Sequence, residues 1–80
     1  MIRVLLFAAL AEAANAARVA LPLENGVTIG HVRAALADLH PEIADKLACC
    51  IAAVNQTYCP DETIVTAADE IAFIPPVSGG

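Results

Sequence analysis

The end of the sequence, IAFIPPVSGG (residues 71 to 80), carries the group with the clearest chemistry. That group is the α-carboxylate of Gly80, whose reference pKa of about 3.5 leaves it ionised at neutral pH. An ionised carboxylate is a poor electrophile, so a partner must activate it, most simply as a mixed anhydride with a nucleotide. We therefore predict that Gly80 is the reactive residue and that another protein supplies the activation.

The residues around Gly80 suit delivery of its carboxylate into another protein. Pro75 and Pro76 favour extended polyproline geometry, and Gly79 and Gly80 lack a Cβ, so a narrow channel can enclose them. Six extended residues reach up to about 20 Å. We predict a compact domain over residues 1–74 and an extended, flexible tail over residues 75–80 that threads into a partner's active site, formed by Pro75, Pro76, Val77, Ser78, Gly79 and Gly80.

Length and charge limit the class of protein. Eighty residues suit one domain, which at this size buries only about 60 to 65 per cent of its unfolded surface. The net charge is −5, with four Lys and Arg against nine Asp and Glu. Nucleic acids and anionic membranes need basic patches, so we expect neither as a partner, and a basic protein surface fits better.

The first 17 residues partly resemble a signal peptide, because Arg3 precedes a short apolar run with Ala-x-Ala spacing. Cleavage there would remove residues 4–7, which form the best strand candidate, so we expect a cytoplasmic protein.

Three cysteines, Cys49, Cys50 and Cys59, suit reduced thiols better than a disulfide framework, and we expect the adjacent pair to act as small core hydrophobes. Without a C-x-x-C pair, no metal site is predicted.

Hydrophobic spacing predicts an α+β fold. Strands are expected at residues 2–7, 18–23, 50–54 and 70–74, and a short Ala-rich segment is expected to end near Asn15. The clearest helix begins after Thr28, a good N-cap, and ends at His40-Pro41. The helix is expected to place Ile29, Val32, Leu36 and Leu39 in the core. Pro41 is expected to open a short turn that adds Ile43 and Leu47.

One main helix can cover only one face of the mixed sheet. Alternation places Arg3, Leu5 and Phe7 opposite Ile2, Val4 and Leu6, and both sets are largely apolar. A contiguous apolar patch rarely stays in water, so a partner should cover the second face unless loops fold over it. The residues predicted for this partner interface are Phe7, Leu5, Phe73 and Ile74. The acidic residues Asp61, Glu62, Asp69 and Glu70 are expected to form a solvated edge, with docking of a basic partner surface as the alternative.

Three segments carry a resemblance to a known family: DEIAFIPPVSGG at the end, AAVNQ at residues 52–56 and VLLFA at residues 4–8. Together with the length, they resemble the small subunits of molybdopterin synthase, which are β-grasp, ubiquitin-like sulfur carriers. The resemblance covers essentially the whole chain. It departs in the Ala-rich stretch of residues 8–20 and at residues 67–69, where Ala-Ala-Asp replaces the frequent Asp-Gly-Asp, so the geometry of the final hairpin is open.

The resemblance implies a β-grasp fold and a non-catalytic, sulfur-donating subunit with no bound cofactor. An activating enzyme would adenylate Gly80 with ATP, and a sulfur donor would convert it to a thiocarboxylate, a covalent 1-thioglycine. The large subunit of molybdopterin synthase would use this sulfur to convert cyclic pyranopterin monophosphate to molybdopterin. The family also implies a heterotetramer of two carriers and two large subunits.

Two other functions use the same carboxylate. A ubiquitin-like modifier would join Gly80 to lysines of other proteins after the same adenylation, and thiamine thiazole synthesis uses similar carriers. Thiazole carriers tend to be shorter and to lack the Pro-Pro pair, so the segment from Phe73 to Gly80 favours the molybdopterin type. A more distant alternative is a plain interaction module whose tail has no chemical role.

Overall fold

The structure, a computed structural model, describes residues 1–75, apart from the side chain of Ala8. The boundary predicted between residues 74 and 75 therefore lies at the edge of this part, and the tail geometry predicted for residues 76–80 lies outside it. In chain order the described elements are β1 (Ile2–Leu6), α1 (Ala8–Ala14), β2 (Arg18–Leu21), β3 (Val27–Thr28), α2 (Ile29–Leu39), a 3₁₀ turn (Pro41–Ile43), α3 (Ala44–Ala48), β4 (Ile51–Val54), β5 (Thr57–Tyr58), β6 (Ile64–Val65) and β7 (Ile71–Ile74).

The main sheet has five strands in the order β2-β1-β7-β4-β5. β1 and β7 run parallel at its centre, and the other neighbouring pairs are antiparallel. A parallel pair needs a long crossover, which here contains α2 and α3. A two-stranded sheet of β3 and β6 lies beside it. The prediction of an α+β fold with a mixed sheet is confirmed.

Helix α2 begins and ends where its flanking residues predicted. The Thr28 hydroxyl accepts a hydrogen bond from the His31 backbone N–H at 3.2 Å, and His40 is the C-cap before Pro41. The loop before β6 satisfies two further N–H groups of the first turn, since Ile29 donates to the Thr63 carbonyl and Gly30 to the Asp61 carbonyl, both at 2.9 Å.

The core lies between α2 and one face of the main sheet. On the sheet side it contains Ile2, Val4, Leu6, Ile71 and Phe73, all at most 3% exposed. The buried residues of the helix side are Ile29, Val32, Leu36, Ile43 and Leu47, as predicted.

One side chain of α2 and one of β7 do not lie where the sequence predicted. Leu39 is 53% exposed and is the last residue of α2, directly before the C-cap His40. Phe73 was predicted in the partner interface, and this is wrong, because Phe73 is fully buried. Alternation along β7 places it with Ile71 on the face that α2 covers.

The short strands β3, β5 and β6 were missed. Each has two residues, which is too few to show an alternating pattern. The turn before β5 was predicted at Asn55-Gln56, and both residues have positive φ, 52° and 68°. This is the conformation of a two-residue hairpin turn, so the turn itself implied the strand that follows.

The side chain of Arg33 on α2 joins three other parts of the fold. Its Nη1 donates to the backbone carbonyls of Leu47 and Cys50, the latter at 2.9 Å, and its Nη2 contacts Asp61 Oδ1 at 2.9 Å. The guanidinium carbon lies 5.0 Å from the centroid of the Phe73 ring. Asp61, expected on a solvated edge, is therefore half of an ion pair whose arginine side chain is only 18% exposed.

We expect Arg33→Met to lower the free energy of unfolding by about 2 to 4 kcal/mol, because it removes several hydrogen bonds, one of them to a charged group, from a mostly buried site. Arg3→Met, at an exposed position, is the matched control and should change it by less than about 0.5 kcal/mol. Urea unfolding followed by circular dichroism measures both. Equal effects would show that the Arg33 contacts contribute little.

We expect Gln56→Gly to stabilise the fold by about 0.5 to 1 kcal/mol, because an L side chain at φ 68° is strained and glycine is not. Gln56→Ala retains the Cβ and should give no such gain. Thermal unfolding of the two variants and the parent compares them directly. A larger gain from alanine than from glycine would contradict the strain argument.

Candidate functional site

The face of the main sheet that α2 leaves uncovered is named here the open face. At the end of this face where β7 finishes, three apolar side chains lie side by side. Ile51 pairs with Ile74, and Phe7 follows Leu6, the partner of Phe73, so that Phe7 lies beside Ile74. Phe7 and Ile51 are each 46% exposed, and Ile74 is half-buried. These three residues are named the apolar row.

The next row of the open face runs across all five strands. Strand register places Arg18 beside Leu5, Leu5 beside Ala72, Ala72 beside Ala53, and Ala53 beside Tyr58. The two alanines are buried and Tyr58 is 68% exposed. Because the two middle residues are alanines, the surface of this row has a shallow depression between Leu5 and Tyr58.

The apolar row lies where the predicted tail begins. Pro75, which is half-buried, directly follows Ile74 of this row. The other predicted tail residues lie outside the described part of the chain, namely Pro76, Val77, Ser78, Gly79 and Gly80. Their roles stay predictions.

The open face contains three of the four predicted interface residues, Leu5, Phe7 and Ile74, and two that were missed. Ile51 was missed because it follows the apolar segment LACC and was not assigned to a face of its strand. Tyr58 was missed because no strand was predicted after the turn. The sequence could have predicted the position of Tyr58, because a two-residue hairpin turn at Asn55-Gln56 places Tyr58 opposite Ala53.

Hydrogen bonds to Asp69 hold the turn that leads into β7. One carboxylate oxygen accepts from the Thr66 backbone N–H at 2.8 Å, and the other accepts from the Asn55 side-chain amide at 3.0 Å. The Thr66 N–H, and then the Asn55 amide, lower the pKa of Asp69. The same Asn55 side chain accepts from the Glu70 N–H at 3.0 Å. The turn therefore forms with alanine at positions 67 and 68. The geometry of the final hairpin, which the sequence left open, does not require the Asp-Gly-Asp residues.

The three thiols lie in different environments. Cys50 is buried as predicted, its thiol donates to the Lys46 carbonyl at 3.2 Å, and burial raises its pKa. Cys49 is exposed, so the prediction that it lies in the core is wrong. Cys59 is half-buried against the core.

The polar residues outside the tail form no recognisable catalytic group. His31 is exposed on α2, and the Nδ1 of His40 lies 3.2 Å from a carboxylate oxygen of Glu42. Within residues 1–75, no three His, Cys, Asp or Glu side chains are grouped so that they could hold a metal ion. The helices of this described range are also too short or too polar to cross a membrane.

Curated relatives match this chain along nearly its whole length. The molybdopterin synthase sulfur carrier subunit of Arabidopsis thaliana is 35% identical over 79 residues, covering 99% of this chain and 82% of the relative. The protein of the same description from Mycobacterium tuberculosis is 35% identical over 80 residues, covering 99% of this chain and 96% of the relative.

Solved structures share the fold. The small archaeal modifier protein SAMP1 from Haloferax volcanii superposes with a TM-score of 0.86 at 29% identity, covering 99% of this chain and 98% of that one. A chain in the complex of subunits 1 and 2 of the molybdopterin-converting factor from Helicobacter pylori gives a TM-score of 0.69 at 20% identity, covering 99% and 97%.

These likenesses confirm the fold predicted from the sequence, a ubiquitin-like β-grasp. The family is settled by a sequence profile, which matches residues 4–80 and so includes both the open-face strands and the PPVSGG segment. This chain belongs to the ThiS family.

Proposed function

We propose that this protein is the sulfur-carrier subunit of molybdopterin synthase, with Gly80 as the residue that carries the sulfur. The observation that carries the proposal is the full-length match to relatives described as molybdopterin synthase sulfur carrier subunits. The family match runs through residue 80 and so includes the Gly-Gly pair. The position of the apolar row beside Pro75 supports it independently.

The proposed chemistry takes place at the Gly80 carboxylate in two steps. In the first, a carboxylate oxygen attacks the α-phosphorus of ATP on an activating enzyme, and pyrophosphate leaves. In the second, hydrosulfide supplied by a sulfur donor attacks the acyl-adenylate carbon, AMP leaves with the bridging oxygen, and loss of the S–H proton produces the thiocarboxylate. This protein contributes the acyl group and its tether, while the activating enzyme contributes the nucleotide site.

The thiocarboxylate sulfur is then the nucleophile in the active site of the large subunit. A tethered nucleophile reacts as if in an intramolecular reaction, which removes much of the entropic cost of the encounter. After transfer to the cyclic pyranopterin monophosphate and hydrolysis of the acyl group, the carrier returns as the carboxylate. No general base on the carrier is needed for this sequence.

The open face is the proposed docking surface for the large subunit. Exposed aromatic and aliphatic side chains next to the tail can anchor the partner while the tail enters its active site. The Helicobacter pylori complex supports a two-subunit arrangement for a protein of this fold. We further propose the assembly of two carriers with two large subunits.

A ubiquitin-like modifier is the second candidate. The likeness to an archaeal protein described as a modifier, at 29% identity, favours it specifically. The two functions share the adenylate and differ in the next nucleophile, which is sulfur for the carrier and a lysine amine for the modifier. The product found on Gly80 therefore distinguishes them.

We expect the thiocarboxylated protein, mixed with a large synthase subunit and cyclic pyranopterin monophosphate, to yield molybdopterin, because the sulfur is the only group the tail has to deliver. Fluorescence of the oxidised pterin measures the product. The intact mass of protein isolated from cells should also contain a fraction in which sulfur replaces one oxygen of Gly80. Gly80 found joined to lysines of other proteins, without this fraction, would favour the modifier.

The matched controls change the tail and leave residues 1–75 intact. Deletion of Gly80, or addition of one residue after it, should abolish sulfur transfer and leave the unfolding temperature unchanged. Transfer that survives the added residue would contradict the assignment of Gly80.

We expect Phe7→Glu to weaken binding of the large subunit by at least about tenfold, because an unpaired carboxylate would be buried in an apolar contact. Leu39→Glu is the control, since Leu39 has a similar exposure of 53% but lies on α2. Isothermal titration calorimetry compares the two variants, and circular dichroism checks their folds. Equal affinities would exclude Phe7 from the interface.

A further inference from the structure

A groove of about 630 Å³ lies on the open face, at the end away from the apolar row. Strands β1 and β2 form one wall with Arg3, Leu5, Arg18 and Ala20, and the turn at residues 67–70 forms the other. Phe7 directly follows β1 with extended backbone and is four residues after Arg3, which corresponds to about 13 Å along the strand direction. The groove is thus continuous with the apolar row but distinct from it.

Two arginines, Arg3 and Arg18, line this groove. Arg3 pairs with Ala20 and Arg18 with Leu5, so the two arginines are diagonal neighbours on the same face. Diagonal neighbours on paired strands are about 7 to 8 Å apart, within reach of long side chains. Both residues are exposed. Neither guanidinium group makes a hydrogen bond or an ion pair with another side chain or backbone group of residues 1–75.

These arginines differ from the other two cations of the chain. Arg33 is used inside the fold, where it contacts Asp61 and two carbonyls. Lys46 lies on α3, beside α2 and away from the open face. Arg3 and Arg18 therefore supply the cationic groups of the open face, in a protein whose net charge is −5.

The acidic groups of the opposite wall do not neutralise this pair directly. Asp69 accepts hydrogen bonds from Thr66 and Asn55, which hold its carboxylate in the turn. Glu70 lines the same groove, but its carboxylate lies beyond 4 Å from either guanidinium. The groove thus has a cationic wall and an anionic wall. Such an arrangement favours one orientation of a charged partner segment over the reverse.

We propose that Arg3 and Arg18 bind an acidic side chain of the protein that covers the open face, and that this contact sets the register of docking. The inference rests on the proposed function, which identifies that protein as the large subunit. Two guanidiniums at this spacing can hold one carboxylate between them, and the carboxylate relieves the repulsion between the two like charges. A nucleic acid is disfavoured because the rest of the protein is acidic.

The position of Arg18 connects this contact to the apolar surface. Arg18 pairs with Leu5, which lies one row from Phe7, so a single partner can cover the apolar row and reach Arg18 at once. An exposed charge at the rim of an interface chiefly affects association rate and salt dependence. The salt dependence of binding is therefore the appropriate measurement.

The test compares the affinity of Arg18→Gln, Arg18→Glu and Arg3→Gln for the large subunit at low and high salt, with Lys46→Glu as the matched control. At low salt we expect neutralisation to weaken binding about 2- to 5-fold and Arg18→Glu to weaken it about tenfold. High salt should reduce these differences, because it screens exposed charges. Lys46→Glu should bind within about twofold of the parent at both concentrations.

The outcomes separate this inference from the proposed function. If Phe7→Glu weakens binding but Arg18→Glu does not, the acidic contact is overturned and the docking surface stands. If Lys46→Glu has the same effect as Arg18→Glu, the effect reflects overall charge, and the contact is again overturned. If the parent protein does not bind the large subunit at all, both the contact and the proposed function fail.

Discussion

The contacts of the Arg33 guanidinium are the constraint on which the arrangement of the main sheet depends. They connect α2 to the carbonyls at the end of α3 and the start of β4, and to the carboxylate of Asp61. A mostly buried charge without partners would be costly, so these groups must stay within hydrogen-bonding distance. Among the described residues, only the Nε of Arg33 is a buried side-chain polar atom without a partner. The Cys50 carbonyl, which accepts from Arg33, directly precedes β4, the strand that pairs with β7.

Strand β7 connects the core to the candidate functional site. Its alternate residues Ile71 and Phe73 pack under α2, while Ala72 and Ile74 lie on the open face. Because β7 lies between β1 and β4, the chain leaves the sheet between Phe7 and Ile51. The same pairing that buries Phe73 therefore places an apolar surface around the start of the tail. The stability of the core and the proposed docking surface therefore both depend on the register of this strand.

The turn before β7 shows how a change of residue type can leave a geometry intact. The Asp69 carboxylate and the Asn55 side chain connect this turn to the turn between β4 and β5. These bonds involve the backbone at Thr66 and Glu70, so the identity of residues 67 and 68 matters little to them. The Asn25 side chain adds a contact to the Ala67 N–H at 2.7 Å. These contacts hold the turn up to Glu70, the residue that directly precedes β7.

The sequence by itself determined the features that depend on local chemistry. The limits of α2 follow from a capping hydroxyl at Thr28 and from Pro41. The role of Gly80 stays a prediction. Only the tertiary structure decided that Phe73 is core while Ile51 and Tyr58 are surface, and that Arg33 and Asp61 form a pair. These outcomes depend on which strands become neighbours and in what register, and shifting the register of a strand by one residue exchanges its two faces. The sequence of a strand of two to four residues contains too little information to predict such long-range pairing.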